Sequence, residues 1–384
     1  NLAMSTSQST QNIALIADYV EEGWHSMNLV ANSLYDQISK LQNEFKVELV
    51  RPKMFRFFSI LPGLRKRSFL FNTDRLLNRF LFYVLVIRKI RKKFDLFHLV
   101  DHSYSHLIHH LESDRVLVTC HDLDTFRCLL DPINFPAGRT FTKMTQLILT
   151  GFQKAERVTC VSQSTMDKIL QHELIPKNKL SICLNGINPL FFKTPETKND
   201  SKNIQLLHVG STISRKRIDV LLKVYNEVRK KIPEVHLTRV GGNFTPEQLR
   251  LAEDLGVHES ITSLEDLSEE ELIKVFADAT LLLQPSEAEG FGLPVVEAMA
   301  AGTPVLASDL PVLREVGGSA AEYARVADIS EWAAKVVGIL NEFREDSTKW
   351  NLRKKLCLAQ ARKFSWRKTA ESFITIYREM LNAA

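Results

Sequence analysis

Two carboxylates, Glu289 and Glu297, flank a glycine turn in the stretch Pro285-Ser-Glu-Ala-Glu-Gly-Phe-Gly-Leu-Pro-Val-Val-Glu-Ala-Met. An apolar run ends just before it, Glu289-Gly290-Phe291-Gly292 follow, and a helix is expected to begin near Pro294, a residue favoured in a first helical turn. Glycines let a backbone approach a ligand with no Cβ in the way, and free amides at a helix start attract an anion such as phosphate. With Glu289 in the loop and Glu297 expected in the opening turn, both carboxylates can face one ligand, and a carboxylate grips two vicinal hydroxyls of a sugar. A plainer reading stays open: Glu297 complements the helix dipole, worth about 0.3 to 1 kcal/mol, and the glycines only turn the chain.

A second candidate is His208-Val209-Gly210 followed by Arg215-Lys216-Arg217, a strand, a glycine turn and adjacent cations at a helix start. Arg offers a bidentate fork and Lys a point charge, both suited to phosphate oxygens, although a basic triplet alone also reads as a solvated face. Cys120-His121-Asp122 ends another apolar run, where a lone His is more often structural than functional. Asp122-Leu-Asp124 is formally a pair that could hold a divalent cation, but so short a motif arises by chance, and no metal is expected.

The elements that must carry these residues alternate. Ile13–Ala17, Lys46–Val50, Leu96–Val100, Arg115–Cys120, Arg157–Val161 and Leu180–Cys183 read as buried strands with helix-length sequence between most of them, the pattern of a doubly wound parallel sheet. Lys193 to Asn203 has no large apolar side chain and reads as a linker. The alternation then restarts with Ile204–Val209, Val235–Val240, Ala279–Leu283 and Thr303–Ala307. Ser268 and Glu271 have the spacing of a capping box, and Trp366, Ala370, Phe373, Ile374, Tyr377 and Leu381 fall at helical spacing. The expected organisation is therefore an α/β domain over 1–192, a linker over 193–203, a similar domain over 204–364, and a tail helix over 365–384.

Composition fits this. The chain has 384 residues, 45% hydrophobic and 25% charged, with 15 Gly and 13 Pro, which excludes disordered and collagen-like classes. The most apolar run, Phe80 to Ile87, is bounded by Arg79 and Arg88 and is too short to span a bilayer. No signal peptide is read at the N-terminus, where Asn1-Leu2-Ala3 ahead of Met4 reads as a cloning remnant. Five scattered cysteines without a Cys-x-x-Cys pair argue for a reducing, cytoplasmic compartment. The net charge of +5 is uneven: Arg51 to Lys93 carries thirteen Lys or Arg against one acid, Asp74, interleaved with Phe55, Phe57, Phe58, Ile60, Leu61, Leu64, Phe69, Leu70 and Phe71. Part of it, with Leu76, Leu77, Phe80, Leu81, Val84 and Ile87, fits a core helix; the rest is expected to rest peripherally on anionic lipid headgroups. Nucleic acid is not expected, because no recognition motif accompanies the charge.

The string Glu289-Gly-Phe-Gly-Leu-Pro-Val-Val-Glu297-Ala-Met-Ala-Ala-Gly-Thr-Pro-Val closely resembles the donor-binding signature of glycosyltransferase family 4. That resemblance implies a GT-B fold with two Rossmann-like domains facing across a cleft, a nucleotide sugar as donor, and retention of anomeric configuration. It implies that Glu289 lies near the transferred sugar, that Glu297 binds the nucleotide ribose, and that Gly290, Phe291, Gly292 and Leu293 supply backbone contacts. The segment Gly210 to Arg217 is similar to the family's segment whose Arg and Lys neutralise the departing diphosphate, which maps to Arg215 and Lys216. His121 maps to a histidine facing the donor sugar, while Val161–Thr165 and Asn185–Asn188 resemble segments that close the sheet. The family's first loop has consecutive glycines; here Tyr19-Val-Glu-Glu-Gly-Trp-His keeps only Gly23 as a donor contact, with Trp24 as a candidate aromatic platform for the acceptor. The implied function is a hexosyltransferase, UDP-glucose being the first-choice donor and a saccharide or lipid-linked saccharide the acceptor, working without metal or other cofactor. The alternatives are a nucleotide-sugar epimerase or hydrolase on the same fold, or a non-catalytic sugar-nucleotide-binding subunit.

Overall fold

The computed structural model describes residues 11–42, 44–59, 68–193 and 204–383. Residues 194–203 of the expected linker, 60–67 of the basic segment (Ile60, Leu61 and Leu64 among them), and Asn1-Leu2-Ala3 lie outside the described residues. The chain divides into two compact units, Asn1–Leu184 with Trp366–Ala384, and Asn185–Ser365.

The first unit is built on β1 (Gln11–Ile16), β2 (Phe45–Val50), β3 (Leu96–Leu99), β4 (Val116–Cys120), β5 (Arg157–Cys160) and β6 (Leu180–Ile182), in the order β2-β1-β3-β4-β5-β6. Every pairing is parallel. A parallel sheet is buried on both faces, which explains the unbroken apolar runs. Side chains alternate between two core layers: Ile13, Leu15 and Ala17 pack with Trp366, Ala370, Phe373 and Tyr377, and Ala14 and Ile16 with Tyr83, Ile87, Tyr104 and Phe126. The helix Trp366–Ala383 is thus part of this unit. Its Tyr377 hydroxyl lies 2.7 Å from Nδ1 of buried His98, and Arg378 forks onto Glu44 at 2.6 and 2.7 Å.

The second unit holds β7 (Gln205–Val209), β8 (His236–Val240), β9 (Ile261–Leu264), β10 (Leu281–Gln284), β11 (Val305–Ser308) and β12 (Glu322–Ala324), again all parallel, in the order β12-β11-β10-β7-β8-β9. This is the doubly wound Rossmann order. The winding reverses between β7 and β10 here, and between β1 and β3 in the first unit. Residues 185–192, expected in the first domain, belong to the second unit: Ile187 bridges to Ser365, and Phe191 meets Phe276 edge-on at 5.6 Å.

One helical expectation is corrected. The run from Ser68 to Ile90 is interrupted by a π turn, Asn78–Phe82, between the helices Ser68–Leu77 and Tyr83–Ile90. The extra residue rotates the buried face, so Leu76 and Leu81 are exposed while Asp74, Asn78 and Arg79 are buried. Carbonyls of the wider turn also take partners from outside it. Asn78 accepts from the Tyr19 hydroxyl at 3.2 Å and Arg79 from His106 at 2.9 Å.

Candidate active site

Ligands on open parallel sheets sit beyond the carboxyl ends of the strands where the winding reverses. In the second unit that point lies past β7 and β10, which deliver Gly210 to Arg217 on one side and Pro285 to Leu293 on the other. Arg215 and Lys216 form a 3-10 turn, Ser214–Lys216, ahead of the helix Ile218–Arg229. Arg217 closes that turn in the left-handed region at φ +50°, held by Asp219 at 2.9 Å and Glu287 at 3.3 Å. The Glu287 amide in turn donates to the Arg215 carbonyl at 2.9 Å, sewing the two loops together.

Glu289 is the meeting point. Lys216 Nζ donates to its Oε1 at 2.6 Å and Arg215 to its Oε2 at 3.3 Å. The Ser286 hydroxyl and the Gln284 amide also donate to Oε1, each at 2.7 Å. Burial alone would raise this carboxyl; the charges of Lys216 and Arg215 and the bonds from Lys216 and Ser286 outweigh it and hold it down at about 2. Gly210 stands against this group, since a Cβ there would lie 3.5 Å from Lys216 Cδ and 3.4 Å from His208 Cε1.

Past Glu289 and Gly290, Phe291 is buried edge-on to Phe364 at 5.7 Å, and Gly292 takes φ +96°, where a Cβ would strike Leu313 Cδ2 at 2.7 Å. The helix Leu293–Ala300 starts as expected, with Pro294 in its first turn. Glu297 is its fifth residue, beyond the opening turn, so the dipole does not account for it. Its carboxyl is pushed up to about 7, by burial and then by the charge of Glu269, which Asn188 holds through a side-chain hydrogen bond. The structure thus brings Gly210, Arg215, Lys216 and Glu289 together, and sets Gly290, Phe291, Gly292, Leu293 and Glu297 along the adjoining turn and helix.

His121 and Gly23 belong to the first unit. His121 follows β4, is buried, and its Nε2 donates to the Val100 carbonyl at 2.8 Å; burial lowers its pKa, leaving a neutral ring. Gly23 ends a 3-10 turn, Val20–Glu22, at φ +74°. Glu22 is ion-paired with Arg79 at 3.4 Å, and exposed Trp24 donates to Glu22 at 3.2 Å. The Asp122-Leu-Asp124 pair is used locally: Asp122 accepts the Asp124 amide at 3.0 Å, and Asp124 faces Arg127 at 3.9 Å.

Several polar residues at strand ends were not singled out from the sequence. Asp18 and Asp101 follow β1 and β3 as Asp122 follows β4, and an acid repeatedly placed just past a strand was the available signal. Burial, and then the neighbouring charge of Asp101, raise the Asp18 carboxyl above the usual carboxylate range. Against its own burial, Asp101 is held low by His102, 3.2 Å away, and by Ser103. Ser286 and Gln284, beside Glu289, carried a similar hint as polar residues at the end of an apolar run.

Two family models match the chain: one for glycosyl transferases group 1 over residues 192–355 and one for glycosyltransferase family 4 over 30–190. The O-antigen chain mannosyltransferase RfbU of Salmonella typhimurium strain LT2 is 29% identical over 197 residues, 50% of this chain and 53% of that protein. The chain spans about half the length of the first curated relatives it matches. O-antigen chain mannosyltransferase B of Escherichia coli is 28% identical over 90% of this chain and 88% of that protein. Among solved structures, sucrose-phosphate synthase from Thermosynechococcus elongatus superposes with a TM-score of 0.74 at 19% identity, covering 97% of this chain and 100% of that one. The fold is GT-B, and with the two models matching in succession along both units, the chain belongs to the group 1 glycosyltransferases of glycosyltransferase family 4.

Proposed function

We propose that this chain is a retaining hexosyltransferase that moves a hexose from a nucleoside-diphosphate sugar to a saccharide or lipid-linked saccharide in polysaccharide or glycolipid assembly. The observation that carries this reading is the convergence of Arg215 and Lys216 on Glu289 at the winding reversal of the second unit. Two cations and one carboxylate leave a net positive group that suits a diphosphate. In the reaction, Arg215 and Lys216 stabilise the charge that develops on the departing diphosphate, a preorganised electrostatic effect. The acceptor oxygen bonds to the anomeric carbon on the face the diphosphate leaves, and its proton passes to the departing phosphate oxygen. Configuration is thereby retained. Glu289 and, from the family resemblance, His121 orient the sugar and stabilise its oxocarbenium-like state, while Glu297 takes the ribose hydroxyls. UDP-glucose is the first-choice donor. A mannose donor is the second reading, favoured by the relatives described as mannosyltransferases.

The test is calorimetric titration of UDP, GDP and ADP in EDTA, followed by nucleotide release from the matching sugar series with and without saccharide acceptors. Binding of one nucleotide, and release that accelerates with an acceptor, is the expected result. Release without any acceptor would point to the epimerase or hydrolase alternative, binding without release to a non-catalytic subunit, and no binding would overturn the reading.

The same reading extends to an anionic membrane surface. Phe55, Phe57 and Phe58 are 58%, 50% and 47% exposed, on a loop clamped from below. Buried Asp74 accepts the amides of Phe57, Phe58 and Ser59 and the Ser59 hydroxyl at 2.7 to 3.1 Å. Asn78 accepts the Phe55 amide at 2.8 Å and donates to its carbonyl at 2.7 Å. Half-exposed rings held beside Lys53 and Arg56, with Phe55 and Phe57 packed on Phe82 at 5.4 Å, can meet a headgroup boundary without ordering the loop at that moment. In co-sedimentation with phosphatidylglycerol vesicles, Asp74→Ala is expected to weaken binding about tenfold, or about 1.4 kcal/mol. Wild-type protein that stays in the supernatant refutes the membrane arm alone.

A further inference from the structure

Arg239 is a buried guanidinium that the reaction described above does not use. In the register of β7 and β8 it stands opposite His208, two residues beyond Leu206 and Leu237, which pack in the core of the unit on the same face. An aliphatic side chain would continue that layer, and a charge buried there is costly unless it is bonded. Its fork instead collects three main-chain carbonyls: Gly210 at 3.2 Å, Gly241 at 2.9 Å, and Gly242. Burial lowers its pKa to about 10, against a pull from Glu265. It still carries its charge at neutral pH.

These carbonyls come from the turns that follow β7 and β8. The turns touch, because a Cβ on Gly241 would stand 2.7 Å from the Gly210 oxygen; Gly241 and Gly242 take φ +111° and +93°. The carbonyl and amide of one trans peptide point in opposite directions. Each carbonyl drawn toward Arg239 therefore turns the next amide away from it, those of Ser211, Gly242 and Asn243. None of the three has a hydrogen-bond partner among the described residues. Outward amides on successive residues make an anion-binding concavity, and here Lys216 lies alongside Gly210.

We infer that Arg239 is a positioning residue for the nucleoside diphosphate, holding the turns after β7 and β8 so that the amides of Ser211, Gly242 and Asn243 face its anionic oxygens. Arg239 itself does not touch the ligand. This rests on the donor reading proposed above. It specifies what holds the second set of phosphate donors besides Arg215 and Lys216.

The experiment compares wild type, Arg239→Met, Arg239→Lys and Lys216→Ala by calorimetry with UDP, GDP and ADP and by donor kinetics, with circular dichroism and thermal unfolding as folding checks. Arg239→Met is expected to weaken binding of the preferred nucleoside diphosphate about 30-fold and to raise the donor KM similarly, with kcat within about threefold, because what is lost is binding shared by ground and transition states. Arg239→Lys keeps the charge but reaches fewer carbonyls, and is expected to fall between. A folded Arg239→Met with wild-type affinity overturns the inference, as does a fall in kcat matching the rise in KM. Should Arg239→Met not fold, Arg239→Lys decides, and wild-type affinity there overturns the inference. Wild type binding none of UDP, GDP and ADP defeats the donor reading itself. Lys216→Ala losing binding while Arg239→Met does not defeats the positioning role alone.

Discussion

Lys216→Ala is expected to lower kcat/KM for the donor about 10² to 10³-fold, the usual loss for one preorganised donor at a developing anion. A nucleotide-release assay reads this directly. The same substitution strips Glu289 of its shortest contact, leaving a buried carboxylate with Arg215 at 3.3 Å and two neutral donors. Breaking a buried pair from one side costs about 3 kcal/mol or more, so urea unfolding at neutral pH should show a matching loss. The pH dependence fixes the sign. The Glu289 carboxyl lies at about 2 in the folded protein against 4.5 for a free one, so its contribution to stability is present above pH 4.5 and is lost as the pH falls through about 2. The gap between wild type and Lys216→Ala should therefore be widest above pH 4.5 and narrow toward pH 2. Pairing Lys216→Met with Glu289→Gln removes both charges, and should recover much of the stability but none of the turnover. Full activity in Lys216→Ala would remove the diphosphate role from this residue.

Glu297 behaves in the opposite sense. Its carboxyl stands at about 7 in the folded protein against 4.5 for a free one, raised by burial and by Glu269. Stability from its neutral form is complete below pH 4.5 and is lost as the pH rises through about 7. Glu297→Gln, which stays neutral, should match wild type near pH 4.5 and exceed it by up to about 3 kcal/mol at pH 8, as read by urea unfolding. Binding should pay for that stability: an ionised carboxylate is the better acceptor for ribose hydroxyls, so wild-type nucleotide affinity should climb between pH 6 and 8. In Glu297→Gln, affinity should be weaker and level across that range. A wild-type affinity that is flat with pH would show that Glu297 is not the ribose ligand.

Most of the fold was legible because a parallel sheet writes itself as apolar runs. Among the described residues, ten of the twelve strands stand where such runs lie. The two missed, β9 and β12, are edge strands: Ile261-Thr-Ser-Leu264 is half polar and partly exposed, and Glu322–Ala324 is three residues long. The π turn at Asn78 was invisible, because counting at 3.6 residues per turn assumes the ladder it interrupts. Of the candidate site, the residues were legible and the contacts were not. Glycines, cations and carboxylates announced themselves by type, but Lys216 meets Glu289 across 73 residues of sequence. Arg239 shows the limit most plainly. Opposite His208 and in line with core Leu237, it looks like an exception to the pattern, and only the carbonyls above it give the exception a purpose.

The membership of the helix Trp366–Ala383 in the first unit bears on how the chain is made. The first unit is begun first, yet Trp366, Phe373 and Tyr377, which complete one of its two core layers, emerge about 180 residues after Leu184. At about 5 to 20 residues per second of synthesis, the apolar face of the helix His25–Leu41 waits at least several seconds for its cover. The second unit, contiguous from Asn185 to Ser365, can close on itself in the meantime. Nascent chains halted before Trp366 should accordingly be the ones that chaperones hold and proteases cut, at sites in the first unit rather than the second.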